Sequence, residues 1–470
     1  MDGNEKKIGG QSRQKIGGQS RQKIGGQPRQ LLSVFDGVFL MAGMVIGVGI
    51  FKAPSVVAGN VSSGAEFLLA WLAGGIISLA GALVYAELSS RHADTGGEYA
   101  FLSRGLGRGT AFLFAWSRIT VIQTGAIAAV AFVFGDYATQ VFSLVAHSAA
   151  IYAALGVIGL TALNLLGTLQ SKSLQKVMET LLIVGLVGVG IGGLMSTGPA
   201  PAPQAAAASS GGSYGLAMIF VLLTYGGWNE AAYLGGEVRE PKKNMTRILV
   251  WGIVVVTALY MLVNVGYLTA LGIAGMKESK AVAADVMRLI AGEKGAILLA
   301  AIVCVSAFTT MNAAIFTGAR TSYAFGRDFA LFAHLGRWRE AGSTPATALL
   351  WQGAVTLLLI AASAFTPDGF SAMVAYTSPV FWTFFLLTGL TLFVFRSKDT
   401  KEDMPLFRVP GYPVVPLAFC AMCAYMLYSS IDFIRGPYGP SFGVAVLGGI
   451  AVMAAGLPLY FLAGRRRPEA

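Results

Sequence analysis

From about Leu31 onward the chain alternates long uncharged apolar runs with short polar breaks, many of them basic. The apolar positions come as runs, not as amphipathic stripes. Many of the runs reach the ~20 residues that a helix needs to cross a bilayer, and a helix of that length satisfies its own backbone in lipid. Twelve spans are expected, roughly at 33–58, 64–89, 110–136, 147–167, 174–196, 213–236, 245–271, 296–324, 346–366, 370–396, 412–433 and 441–464. The expected fold class is an all-α polytopic membrane protein. Composition agrees: 55% of the 470 residues are apolar and 12% charged, against ~25% charged in soluble domains.

Charge then sets orientation. With the N-terminus inside, Arg91, Arg104, Arg108, Lys172, Lys176, Lys242, Lys243, Arg247, Arg320, Arg327 and Arg396 fall in or beside inside loops. The outside loops 137–146, 197–212 and 367–369 carry no Lys or Arg; 272–295 and the loop holding Arg435 do. This positive-inside pattern makes the net charge of +11 a topology signal, and no nucleic-acid partner is expected. Both termini are placed in the cytoplasm of a multi-pass protein, in a prokaryotic inner or plasma membrane. Residues 1–30 have no apolar core of a signal peptide. They repeat "KIGGQSRQ" from Lys7, Lys15 and Lys23, with Pro28 replacing serine in the last copy. Such a polar, glycine-rich, basic segment reads as a disordered cytosolic tail.

Candidate catalytic chemistry is sparse. Cys304, Cys420 and Cys423 all fall inside expected spans, so no disulfide framework is expected. His92, His147 and His334 lie at loops or span ends and form no metal-ligand cluster. No zinc-protease, phosphate-loop or serine-hydrolase motif is present. The chain is not expected to be an enzyme or to carry a metal or cofactor.

Two spans are interrupted at matching depth. "GMVIGVGIF", Gly43 to Phe51, places Gly47 about fourteen residues into the first span. "LLTYGGWNEAAY" places Gly226 and Gly227 about thirteen residues into the sixth. Spans one to five and six to ten would be halves of opposite topology, since five is odd. Paired glycine-interrupted spans in two inverted halves point to a transporter binding site. The alternative is close helix packing through small residues, and Gly43 and Gly47 fit that spacing. A break frees backbone N–H groups for a carboxylate and carbonyls for an ammonium or alkali cation. Those are the two poles of an amino-acid zwitterion.

Four stretches carry a resemblance. "GMVIGVGIF" followed by Pro54 resembles the first span of the amino acid–polyamine–organocation (APC) transporters. "YAELSSRHADTGGEYAFLSRGLGRGTAFLFAW", Tyr85 to Trp116, resembles their loop between spans two and three. "YGGWNEAAYLGGEVREPKKNM", Tyr225 to Met245, is similar to their sixth span and following loop, closest to the L-type amino-acid transporter branch. "FRVPGYPVVP", Phe407 to Pro416, resembles the start of their eleventh span. The resemblance implies a LeuT-type fold of twelve transmembrane helices, with a 5+5 inverted repeat and broken helices one and six. The expected divisions are the tail at 1–30, a first repeat at 31–200, a second repeat at 210–397, and spans eleven and twelve with the C-terminus at 405–470.

Carried over by motif position, the resemblance assigns the substrate carboxylate to amides around Gly47, Val48 and Gly49. Carbonyls near Val45 and Ile46, and near Leu223, Thr224, Gly226 and Gly227, would hold the α-ammonium. Asn229 would support the second break. Three departures stand out. Val48 replaces a common serine, and Leu223 replaces an aromatic gate. Span five has only Lys176 and Glu179, near its cytosolic start, with Leu182 at the position of a deep lysine. A sodium or proton coupling site is a further candidate: Gly43 and Ile46 carbonyls with Ser306, Thr309 and Thr310 of span eight, or Glu230 as a proton site. Ser and Thr in membrane helices also bond their own backbone, and that alternative stays open.

Ionisable residues inside membrane spans are functional candidates. Arg118, with Gln123 near it, could line the substrate path or pair with a carboxylate such as Glu87 or Glu237. Lys52 follows the first break as an outer-gate charge or as a lysine in a wet vestibule. Glu237 and Arg239 in "EVREPKKNM" are expected in an inner-gate cluster, where weak, partly exposed pairs of ~0–1 kcal/mol suit reversible opening. The resulting expectation is a secondary transporter or exchanger of amino acids, chiefly neutral ones, working by alternating access. A carrier of amines, polyamines or cationic amino acids and a non-transporting amino-acid sensor are the alternatives. Expected partners are an amino acid and the lipid bilayer. A disulfide-linked accessory chain is not expected, because loop 137–146 lacks cysteine, and the chain is expected as a monomer or weak oligomer.

Overall fold

Ser33 begins the first helix. Its hydroxyl accepts the Asp36 N–H at 3.2 Å, and the Asp36 carboxylate accepts the Ser33 N–H at 3.1 Å, a capping box that satisfies two otherwise orphaned donors. The computed structural model describes residues 33–91, 97–144, 146–167, 172–196, 213–231, 238–339, 344–399, 405, 407–435 and 440–464. The repeat-bearing tail at 1–30 lies outside them.

The first helices are α1 (Val34–Val45), α2 (Ala53–Gly59), α3 (Gly64–Arg91), α4 (Gly97–Gly105), α5 (Arg108–Ser117) and α6 (Gln123–Val141). A π-helical stretch, Arg118–Ile122, joins α5 to α6. Next come α7 (Ser148–Leu166), α8 (Lys172–Met195), α9 (Tyr214–Thr224), α10 (Trp228–Ala231), α11 (Pro241–Glu278) and α12 (Val282–Asp328). The last are α13 (Ala346–Ser363), α14 (Gly369–Ser397), α15 (Val414–Ser429), α16 (Asp432–Arg435) and α17 (Pro440–Leu462). Gly272 (φ 64°) kinks α11 and Gly292 (φ 67°) kinks α12, so the spans expected at 245–271 and 296–324 lie on the far sides of two bends.

Among the described residues nine helices are long and apolar enough to cross a membrane. Three shorter apolar helices, Val34–Val45, Glu179–Met195 and Tyr214–Thr224, fall where spans one, five and six are expected. The first and third are short because the chain leaves the helix at the glycines. The packing is paired. α1 packs on α11 and α9 on α3; α8 packs on α12 and α14 on α6; α7 packs on α12 and α13 on α6. α6 and α12 lie against each other at the centre.

Candidate functional site

The first break opens at Ile46, whose ψ of 98° leaves the helix, and Gly47, which is extended at φ −124° and ψ −172°. A 3₁₀ turn, Val48–Phe51, follows, and α2 resumes at Ala53 with Pro54 inside its first turn, where the missing proline N–H costs nothing. The second break is the turn Tyr225–Gly227 between α9 and α10. Gly227 has φ +106°, and a Cβ there would collide with the Met44 carbonyl oxygen of α1. Glycine is therefore required by both its backbone angle and the close approach of the other broken helix. At Gly49 a Cβ would stand 3.3 Å from Thr224 Oγ1. The two breaks thus face each other.

Tyr260 of α11 joins them. Its hydroxyl lies 3.1 Å from the Val45 carbonyl oxygen and 3.1 Å from that of Thr224, the last helical residue before each break. The N–H groups of Val48 and Gly49 meet no protein acceptor among the described residues. Gly47 itself borders open space: a Cβ built on it would find its nearest neighbour, the Val45 carbonyl oxygen, 4.0 Å away. The breaks therefore combine unpaired amides, under-used carbonyls and room.

Aromatic packing holds the second break in place. The Tyr225 hydroxyl donates to the Trp71 carbonyl of α3 at 3.0 Å. Trp228 meets Tyr85 edge-on at 5.3 Å and Phe385 at 5.5 Å. Asn229 is half-buried behind them. Leu223, in the last turn of α9, is 37% exposed while Thr224 beside it is buried.

Other expected residues sit differently. The Gln123 amide donates to the Ala314 carbonyl of α12 at 2.9 Å, which makes it a tie between α6 and α12. Thr309 donates to the Val305 carbonyl of its own helix at 2.8 Å, the ordinary bond of a membrane threonine. Thr310 is exposed, and Ser306 is the buried one of the three hydroxyls. Gly43 faces Glu179 of α8, with a built Cβ 3.2 Å from the carboxylate Oε2. Glu179 therefore reaches α1 one turn before the break. Leu182 is buried.

The ion pairs also differ from expectation. Arg118, at the head of the π-helical stretch, bonds Glu98 of α4 at 3.0 Å, where Glu87 was one of the two expected partners. Glu87 is instead wholly buried, and it accepts from Arg91 at 2.6 and 3.0 Å, Arg396 at 2.5 and 2.9 Å and the Val409 N–H at 2.7 Å. Arg91 and Arg408 also bond Asp399. This network ties α3, α14 and the segment leading into α15. Arg239 is exposed and forms no ion pair among the described residues. Glu237 and the side chain of Glu230 lie outside them.

Lys52 is buried, 4% exposed, with its Nζ 2.8 Å from Asp136 of α6 and 3.2 Å from Asp368 at the start of α14. The reading of a lysine in an open vestibule is therefore replaced by a closed triad. Sequence reasoning missed both of its partners. Asp136, an acidic residue at the end of an apolar run, was the available signal. Tyr260 carried none, being one aromatic within an apolar span.

An amino acid permease family model matches residues 32–452. The chain is similar to human b(0,+)-type amino acid transporter 1, 27% identical over 85% of this chain and 82% of the relative. It is equally similar to the serine/threonine exchanger SteT of Bacillus subtilis, 27% identical over 91% of this chain and 95% of the relative. The human cystine/glutamate transporter is 25% identical over 92% and 84% respectively. With the family model spanning most of its length and these relatives covering four fifths or more of it, the chain belongs to the amino acid permease family.

Proposed function

We propose that this protein exchanges neutral amino acids across a membrane by alternating access, binding them at the paired breaks. One observation carries the reading: open space beside Gly47, bordered by the unpaired Val48 and Gly49 amides and by the two carbonyls that share Tyr260. Convergent backbone N–H groups form an anion-binding concavity suited to a substrate carboxylate. Each carbonyl has two lone pairs, so the Val45 and Thr224 oxygens can accept from an α-ammonium while Tyr260 remains bonded. Leu223 and the buried Val48 offer an apolar wall. The names of the relatives, an exchanger and several transporters of amino acids, support the same class.

The architecture proposed is twelve spans in two inverted five-helix repeats, 31–200 and 210–397, followed by two further helices at 405–470. The paired packings support it, because α1 on α11, α8 on α12 and α7 on α12 have their counterparts in α9 on α3, α14 on α6 and α13 on α6. Both termini face the cytoplasm in this reading, on the strength of the basic inside loops. One relative is named as the small subunit of a large neutral amino acid transporter. Loop 137–146 has no cysteine, so this chain is proposed to work without a disulfide-linked partner, as a monomer or weak oligomer. No ion site is assigned. Exchange needs none, and two of the three span-eight hydroxyls are turned outward or bonded to their own helix.

The experiment is uptake into proteoliposomes preloaded with a panel of neutral, cationic and anionic amino acids and amines, with and without sodium and a pH gradient. Uptake of neutral amino acids that requires an internal counter-substrate is the expected result. Binding without flux would overturn transport, and uptake restricted to amines or cationic substrates would overturn the neutral assignment.

A further inference from the structure

Away from the breaks, the last helix ends in an apolar knot. Ala463 is 1% exposed and packs with Phe112 and Trp116 of α5, Phe325 of α12 and Leu335. Phe112 meets Phe329 edge-on at 4.7 Å and Tyr460 of α17 at 5.4 Å. The backbone is fixed there as well. The Ala330 N–H donates to the Gly464 carbonyl at 2.9 Å, and the Leu331 N–H to that of Ala463 at 3.2 Å. The Trp116 indole N–H donates to the Val452 carbonyl of α17 at 2.7 Å. The first turns of α5 and the last turns of α12 and α17 thus meet in one place, with the turn that follows α12 tied across them.

Arginines emerge around this knot. Arg108 opens α5 beside Gly109, where a built Cβ would stand 3.7 Å from the Tyr460 ring. Arg327 lies in the last turn of α12. Arg337 and Arg339 flank Trp338, whose ring meets Tyr323 of α12 edge-on at 5.2 Å. All four arginines are exposed and form no ion pair among the described residues. Asp328 is the one acid in segments 105–112, 325–339 and 452–464. The surface between the arginines is apolar: Trp338 is 42%, Leu331 46% and Phe461 83% exposed. Cations interleaved with exposed aromatic and aliphatic side chains at the ends of membrane helices match the headgroup layer, where an apolar body and a charged tip both find their solvent. A guanidinium grips phosphate oxygens with paired N–H donors. Basic surfaces between the cytoplasmic ends of membrane helices take anionic headgroups.

We propose that Arg108, Arg327, Arg337 and Arg339 seat the phosphate of an anionic phospholipid of the cytoplasmic leaflet, with Trp338 at the level of its glycerol and upper acyl chains. The four cations stand on elements that the knot and its main-chain bonds hold together, so one headgroup can bridge α5, α12 and the turn beyond it. The proposal takes only the orientation of the chain from the reading above and does not require transport.

The test uses the full chain in an uncharged detergent, titrated with phosphatidylglycerol or phosphatidylcholine. Native mass spectrometry counts the lipid retained. Phosphatidylglycerol should be retained about fivefold more tightly or better. The combined variant Arg108→Gln, Arg327→Gln, Arg337→Gln and Arg339→Gln should bring it down to the level of phosphatidylcholine. A second measurement leaves the arginines in place. Phosphatidylglycerol brominated in its acyl chains should quench a tryptophan signal that is present in the parent and missing from Trp338→Phe, while brominated phosphatidylcholine at the same mole fraction should quench it far less. Equal retention of the two lipids by the parent would overturn the proposal, as would equal quenching in the parent and Trp338→Phe. Displacement of the lipid by soluble glycerol phosphate at matched concentration would also overturn it, since the surface would then bind a free phosphate and not a lipid. The quenching arm decides the matter if the arginine variant does not fold. Both are binding measurements in detergent, so absence of exchange would refute the transport reading and leave this one standing.

Discussion

The hydroxyl of Tyr260 lies 3.1 Å from the carbonyl oxygen of Thr224, and equally far from that of Val45. One O–H carries one proton, so the two helix ends share a single donor. Tyr260→Phe removes it while keeping the ring that packs on Tyr225 and Trp71. Leaving a buried carbonyl without its donor costs about 1–3 kcal/mol. The variant should melt earlier and show a half-saturation for neutral amino acids raised about fivefold or more. Unchanged melting and unchanged uptake would remove Tyr260 from the site.

The glycines of the two breaks should separate by cause. Gly227→Ala meets both a left-handed φ and the Met44 backbone, and the angle alone costs about 1–3 kcal/mol. Loss of folded protein on size-exclusion chromatography is expected. Gly47→Ala meets only open space, so it should fold as well as the parent and yet lose most uptake, because the methyl group occupies the room left for substrate. A fully active Gly47→Ala would contradict the proposed pocket.

Glu87 is the hub of the other charged network. Glu87→Gln keeps the shape but leaves Arg91 and Arg396 facing a neutral amide. Breaking a buried ion pair from one side costs about 3–5 kcal/mol. Thermal unfolding in detergent should fall well below that of the parent. Arg118→Gln, which affects a partly exposed pair, should be much milder. Equal effects would argue against the central position of Glu87.

Asp399 sets an acid limit on that network. The Arg91 guanidinium beside it, and Arg408, hold its carboxyl below the usual aspartate range. A lowered folded value means that the stabilisation is complete above the unfolded value of ~3.9 and is lost as pH falls through the folded one. The melting difference between the parent and Asp399→Asn should therefore be the same at pH 7 and pH 5, and shrink below about pH 3.9. A difference already gone at pH 5 would show that the pairing does not hold Asp399 ionised.

The helical spans and the two breaks were legible in the sequence because they are local. Run length reports a membrane helix, and glycines at matched depth in the first and sixth spans report where each one ends. The backbone around Gly47 and Gly226 follows directly from those residues. What each charged side chain meets was not legible. Arg118 stood out as an intramembrane charge, with Glu87 among its candidate partners, yet the two bond Glu98 and Arg396 in turn, because partner choice depends on which helices are neighbours. Gln123 reads as a site residue by depth alone, and its rotation about the helix sends it to Ala314.

By itself, then, the chain determined a helical membrane protein broken twice, with freed backbone where the glycines lie. Only the tertiary structure decided that one tyrosine from α11 bridges both breaks and that Lys52 pairs with Asp136 and Asp368. The reason is physical: hydropathy and backbone preference act within a few residues of chain, whereas an ion pair or a shared hydroxyl needs groups 36 to 316 positions apart brought within hydrogen-bonding reach.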